Sequence, residues 1–114
     1  MAETQIQEGV TPRINGSLRQ NFVGRPVCLV GKVLDVQENS GSAVIQSSDG
    51  SSVQVVMAPG SSYLTSFVEI VGEVLPDLSI KEFKSIDYGE NFDLDLYNQV
   101  LQLANGKYQK LFYS

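Results

Sequence analysis

Two short segments of the chain share one pattern: Val30-Gly31-Lys32-Val33-Leu34 and Val71-Gly72-Glu73-Val74-Leu75. In each, a glycine interrupts a run rich in β-branched residues, the side chains that strands favour. Glycine inside a strand marks a bulge, a tight bend or the close approach of another backbone. The copies are too short and too isolated to be units of a repeat architecture. Two strongly coiled strands in one small domain fit a closed barrel, whose strands must tilt and coil to complete the ring.

The flanking sequence supplies the other strands. In residues 26–37, Val27 and Leu29 face one side while Cys28 and Val30 face the other. Both sides are apolar, so this strand should be buried on both, with a bulge or sharp bend at Gly31. Residues 43–48 and 52–58 flank Asp49-Gly50, a strong hairpin signal. Val53, Val55 and Met57 alternate there against Ser52, Gln54 and Val56. Residues 67–75 place Val68, Ile70, Gly72 and Val74 on one face, with Glu69 and Glu73 on the other. Residues 78–86 alternate until Phe83, where the phase slips and a second bulge is expected. The pattern predicts an all-β fold with one C-terminal helix: a five-stranded OB-fold Greek-key barrel over about residues 26–87, followed by an α-helix. An SH3-like barrel, or an open sheet with a helix on one face, is the alternative. A short helical turn is expected at 17–22. Residues 1–11 read as a flexible N-terminal arm and 12–114 as a single domain.

The helix is the stretch FDLDLYNQVLQLA, predicted over about 93–104. Asp93 can cap it, and Asp95 suits the positive end of its dipole. Asn105-Gly106 supplies the stop. At 100° per residue with Phe92 at 0°, the apolar side chains from Leu103 round to Leu94 span about 20° to 200°. A surface helix needs a stripe only a little over 100° wide. The surplus predicts that the helix packs against two bodies, unless it is sunk deep in its own domain.

Net charge is −5, from 8 basic and 13 acidic residues, which opposes nucleic acid at long range. The chain contains no histidine, no nucleophile–base set, no zinc-ligand cluster and no phosphate-binding glycine loop. Asp93 and Asp95 are explained by capping better than by cation binding. An enzyme is therefore not expected, nor a cofactor, a metal or a small-molecule substrate. The single cysteine, Cys28, lies in an apolar run and reads as a core thiol in a reducing compartment. No apolar run is long enough to span a membrane, and no signal-peptide pattern opens the sequence.

The segments Pro12-Arg13-Ile14-Asn15, Pro26–Val33, Val68–Val74 and Phe92-Asp93-Leu94-Asp95-Leu96-Tyr97-Asn98 resemble the smallest-subunit family of replication protein A, the heterotrimeric single-stranded-DNA-binding protein of eukaryotes. The likeness runs from residue 12 through most of the chain, with the first and last segments the most specific. It is poor at 58–66 and after Gly106. The resemblance implies a nuclear assembly subunit acting in DNA replication, repair and recombination. Its C-terminal helix would join a three-helix bundle with the two larger subunits, and single-stranded DNA would be held mainly by those partners. Leu96, Tyr97, Val100, Leu101 and Ala104 are the expected partner side, with Phe92 and Leu103 turned to the barrel.

The barrel's own claim on DNA is weak. OB folds bind single strands mainly through strands 2 and 3, using aromatic and basic side chains. No Lys or Arg occurs between Lys32 and Lys81, and no aromatic between Phe22 and Tyr63. Lys81 and Lys84, on the fifth strand about a Phe83 that reads as a core aromatic, are the candidate weak DNA contact. A free-standing OB module that binds single-stranded nucleic acid directly is the alternative function.

Overall fold

The first long strand, β1 (Pro26–Gln37), serves two neighbours. Its first part, Pro26 to Lys32, runs antiparallel to β4 (Phe67–Val74); its second, Gly31 to Gln37, runs antiparallel to β2 (Ser42–Ser47). The exchange falls at Gly31, which stands opposite both Ser47 and Val68. A strand changes partners in this way only by coiling sharply. Glycine is required because a Cβ at residue 31 would press into the Gln46 carbonyl and the Ile45 side chain. The bulge expected at Gly31 falls instead between Val33 and Asp35. Gly31 is thus the close approach and Leu34 the extra residue. In this computed structural model the described residues are 11–104, with Ala104 described only as the end of its helix.

Gly72 repeats the arrangement on β4: a Cβ there would strike the Lys81 carbonyl. Opposite it, β5 (Ile80–Gly89) carries the second bulge, where the register steps from Val71–Lys84 to Gly72–Glu82 and leaves Phe83 without a partner. The expected slip at Phe83 is therefore real. β2 and β3 (Ser52–Val56) form the hairpin that Asp49-Gly50 predicts, with Gly50 at φ +91°. β3 joins β5 in parallel through Val55–Ile80 and Val56–Lys81. The ring β1-β2-β3-β5-β4 then closes back on β1, the five-stranded OB barrel. A two-residue strand, Arg13–Ile14, lies parallel to β1, and a 3-10 helix follows it over Gly16–Asn21.

The barrel holds one closed core, built from inward residues of every strand. Val27, Leu29, Ile45, Val53, Val55, Val68, Ile70, Val74 and Ile80 have no exposed surface. The opposite face of β1 is covered too: Val30 is fully buried and Cys28 nearly so. That second layer lies outside the barrel, beneath the helix α1 (Leu94–Ala104). The arm expected at residues 1–11 falls almost wholly outside the described residues, as do the Asn105-Gly106 stop and the chain beyond it.

Gly31→Ala and Gly72→Ala should each destabilise the chain by about 3 kcal/mol, because a backbone carbonyl must give way to the new methyl. Urea unfolding checks this; a loss under about 1 kcal/mol would show that the ring relaxes freely.

Candidate functional site

Helix α1 starts where the sequence sets its cap. The Leu96 N–H donates to Asp93 Oδ1 at 3.0 Å, and the Tyr97 N–H to the Asp93 carbonyl at 3.1 Å. Just before it, Phe92 stacks edge-on against Tyr88 and Tyr97, with ring centroids 5.1 and 5.6 Å apart, and tilts against Phe67 at 6.1 Å. One turn later Asn98 fixes the helix to the barrel. Its Oδ1 accepts from Asn15 Nδ2 at 2.9 Å and from Ser48 Oγ at 3.0 Å. Those two partners are themselves tied together. The Gly16 N–H donates to Ser47 Oγ at 2.8 Å, and the Ser17 N–H to Asp49 Oδ2 at 3.0 Å. Burial works against the charge on Asp49, but hydrogen bonds from Ser51 and Ser17 outweigh it and hold its pKa below the ordinary value.

This clamp decides how the wide apolar arc divides. Leu101 is 3% exposed and packs beside Asn15, Ser17 and Leu18. Tyr97 lies over the β1–β4 face near Arg13, Cys28 and Glu69, its hydroxyl buried without a hydrogen-bond partner. Leu96, Val100 and Leu103 are 56%, 47% and 51% exposed. On the helical wheel the free stripe runs from about 20° to 80°, and the buried one from about 140° to 200°.

Three expectations change as a result. Leu101 belongs to the chain's own packing rather than to a partner surface. Tyr97 likewise turns to the barrel, with its hydroxyl buried. Leu103, expected against the barrel, stands in solvent. The cause is Asn98, at about 240° among the polar residues: it docks rather than dissolves, and so turns the helix toward that edge of the arc. Leu96 and Val100 stand free, and the side chain of Ala104 lies outside the described residues.

Beneath Tyr97 sits a polar cluster that the sequence order conceals. Glu69, 4% exposed, accepts from the Tyr88 hydroxyl at 2.6 Å, with the Arg13 guanidinium 4.0 Å away. Burial, then the neighbouring Glu69, pushes the Cys28 thiol up to about 11 and the Tyr88 hydroxyl up to about 12. Burial likewise raises Tyr97. Among the described residues there is no grouping of three or more His, Cys, Asp or Glu able to hold a metal.

The outer face of β2 and β3 presents Val44, Gln46, Ser52, Gln54 and Val56, with no cation and no ring. Lys81 and Lys84 are exposed on β5. Phe83 between them is 54% exposed, which corrects its reading as a core aromatic. The bulge turns it outward, and that follows from the same phase slip that revealed the bulge.

The sequence matches the family described as replication factor A protein 3 over residues 3–112. The chain belongs to that family. It is 36% identical over 99 residues to a replication protein A 14 kDa subunit of Oryza sativa subsp. japonica, covering 87% of this chain and 91% of that one. It is 30% identical over 106 residues to replication factor A protein 3 of Schizosaccharomyces pombe, covering 93% and 98%. Among solved structures, a chain of Ustilago maydis replication protein A bound to single-stranded DNA superposes with a TM-score of 0.86 at 31% identity, over 95% of this chain and 100% of that one. A chain of the S. pombe Stn1–Ten1 complex shares the fold, with a TM-score of 0.65 at 17% identity over 86% of this chain and 94% of its own.

Two outcomes follow for the isolated chain. Leu101→Ala should lower its stability by about 2–5 kcal/mol, while Val100→Ala should stay within about 0.5 kcal/mol, measured by urea unfolding. The second outcome concerns alkaline pH. Folding holds the Cys28 proton from its ordinary pKa of 9.0 up to about 11, so the folded chain binds more protons in that window. Stability complete below pH 9 should fall as pH rises toward 11, and Tyr88 should carry the loss on toward 12. The groups facing the thiol, Arg13, Glu69, Lys84, Tyr88 and Tyr97, remain in Cys28→Val. That variant should flatten the first part of a Tm-against-pH curve; an unchanged curve would remove the thiol as the cause.

Proposed function

We infer that the chain is the assembly subunit of a heterotrimeric replication protein A, joined through α1 to one helix from each of two larger subunits. The observation that carries this reading is the free stripe of Leu96, Val100 and Leu103. Their spacing of four and then three residues is the seam of a coiled coil or helix bundle. Apolar helix faces of this kind suit obligate interfaces more than solvent. The stripe departs from the set the sequence indicates: Leu96 and Val100 remain, Leu103 joins them, and Leu101 and Tyr97 leave. Ala104 keeps its proposed place at the edge of the seam.

Single-stranded DNA is then held mainly by the partner subunits, and this chain does no catalysis. The bare β2–β3 face supports that division of labour, and the U. maydis relative belongs to a protein bound to single-stranded DNA. The complex would act in the nucleus, in DNA replication, repair and recombination. A free-standing oligonucleotide-binding module is the competing reading, and the missing cations and rings on β2 and β3 weigh against it.

Co-expression with the two larger subunits of such a complex tests the reading. Leu96→Asp with Val100→Asp should abolish co-purification while the barrel still melts cooperatively, because neither side chain belongs to its core. Leu101→Asp is unsuitable, since it places a charge in the chain's own interior. Assembly that survives the double change would refute the stripe as the interface. The isolated chain should bind oligo-dT only weakly at physiological salt; submicromolar affinity would favour the free-standing module.

A further inference from the structure

Strand β5 presents a run of side chains outside the helix stripe proposed for assembly. Alternation alone would send Lys81 outward, Glu82 inward and Phe83 outward, and then turn Lys84 inward. The bulge between the Val71–Lys84 and Gly72–Glu82 pairs makes Phe83 and Lys84 face outward together. Lys81, Phe83, Lys84 and Ile86 are all exposed in consequence. The run is about 16 Å long at the rise of a strand. An aromatic ring set out on a bulge, with an ammonium on each side, offers a base a face to stack on and the flanking phosphates two cations.

The surrounding acids are held away from this run. Glu82 is 3% exposed and takes the Tyr63 hydroxyl on Oε1. Glu69 takes the Tyr88 hydroxyl, and Asp87 the Leu64 N–H at 3.0 Å. Glu90 is bonded by Ser66. Among the described residues of β4, Glu73 stands directly across from Lys81, and Glu69 across from Ile86. A chain of net charge −5 thus keeps one locally cationic, aromatic edge.

We propose that the β5 edge of Lys81, Phe83 and Lys84 is a single-stranded-nucleic-acid contact, stacking one base on Phe83 and pairing two phosphates with the lysines. It deepens the assembly reading and rests on it for its effect. One stacked base gives little affinity to the isolated chain. In the assembled complex the partners hold the strand, and the edge acts at high effective concentration. The site lies on β5, where Lys81 stands beside Val56 at the border of the bare β2–β3 face.

The test is photo-cross-linking to single-stranded oligo-dT carrying iodouracil, done at low salt on the full chain and again on the assembled complex. Adducts should map to Phe83 or its neighbours on β5 in both. In the complex, Phe83→Ala should weaken oligo-dT binding about 5-fold or more. Lys81→Ala with Lys84→Ala should lower the salt slope of binding by about 1.4. These variants should leave co-purification intact, whereas failure of the assembly reading shows only in co-purification. If the subunits do not assemble, the cross-link on the full chain still decides the β5 contact. Adducts absent from β5, with affinity and salt slope unchanged, would overturn the proposal. So would an acidic peptide or protein that binds this edge while DNA does not.

Discussion

The hydrogen bonds that converge on Asn98 organise the functional part of this molecule. Asn15 comes from the strand stub before the barrel, Ser48 from the β2–β3 turn, and Asn98 from the helix after it. Three segments far apart in sequence are thereby held at one point. A hydrogen bond of this sort contributes only about 1 kcal/mol net. Its larger effect is rotational. A helix with apolar residues over half its circumference could settle on the barrel in several orientations of similar burial energy. Polar groups that are costly to leave unpaired choose one of them. With Asn98 docked, Leu101 and Tyr97 turn inward, and Leu96, Val100 and Leu103 turn out.

The barrel was legible because its constraints are local. Glycines where backbones cross, Asp-Gly at a hairpin and a phase slip at a bulge are each written within a few residues. The division of the helix was not legible, because the periodicity of a helix gives the width of an apolar arc and not its rotation. Periodicity puts Asn98 outside the apolar arc, and the partners that dock it lie 83 and 50 positions away. One signal was available. The segments Pro12–Asn15 and Phe92–Asn98, the most specific carriers of the family resemblance, are the two that meet in the fold. Arg13 lies by Glu69 beneath Tyr97, and Asn15 bonds Asn98. The exposure of Phe83 is hidden for a related reason: alternation marks the phase slip, but not that the bulge sends two successive side chains to the same face.

The two glycines tie stability to surface chemistry. Gly72 lets the Lys81 carbonyl approach, and the same stretch of β5 accommodates the bulge that exposes Phe83. The coil that closes the ring therefore also shapes its outer edge. Loop 58–66 is held by side chains of β5 and the linker after it: Tyr63 to Glu82, Leu64 to Asp87, Ser66 to Glu90. The loop is well anchored. Each bond also draws a carboxylate toward the loop and leaves the neighbouring lysines less compensated.

The clamped helix bears on how association proceeds. A segment that folds only on binding must supply its ordering cost at that moment, which weakens the complex for a given interface. Here the cap at Asp93, the aromatic contacts of Phe92, the Asn98 bonds and buried Leu101 already order α1 in the single chain. On the proposed assembly, partner helices would meet a preformed ridge and need only cover it. The same order has a liability: three large apolar side chains stand in solvent until they are covered, inviting self-association of the unpartnered chain. In the proposed assembly the clamp would make the seam specific, and the barrel's separate core would keep the chain folded before its partners arrive.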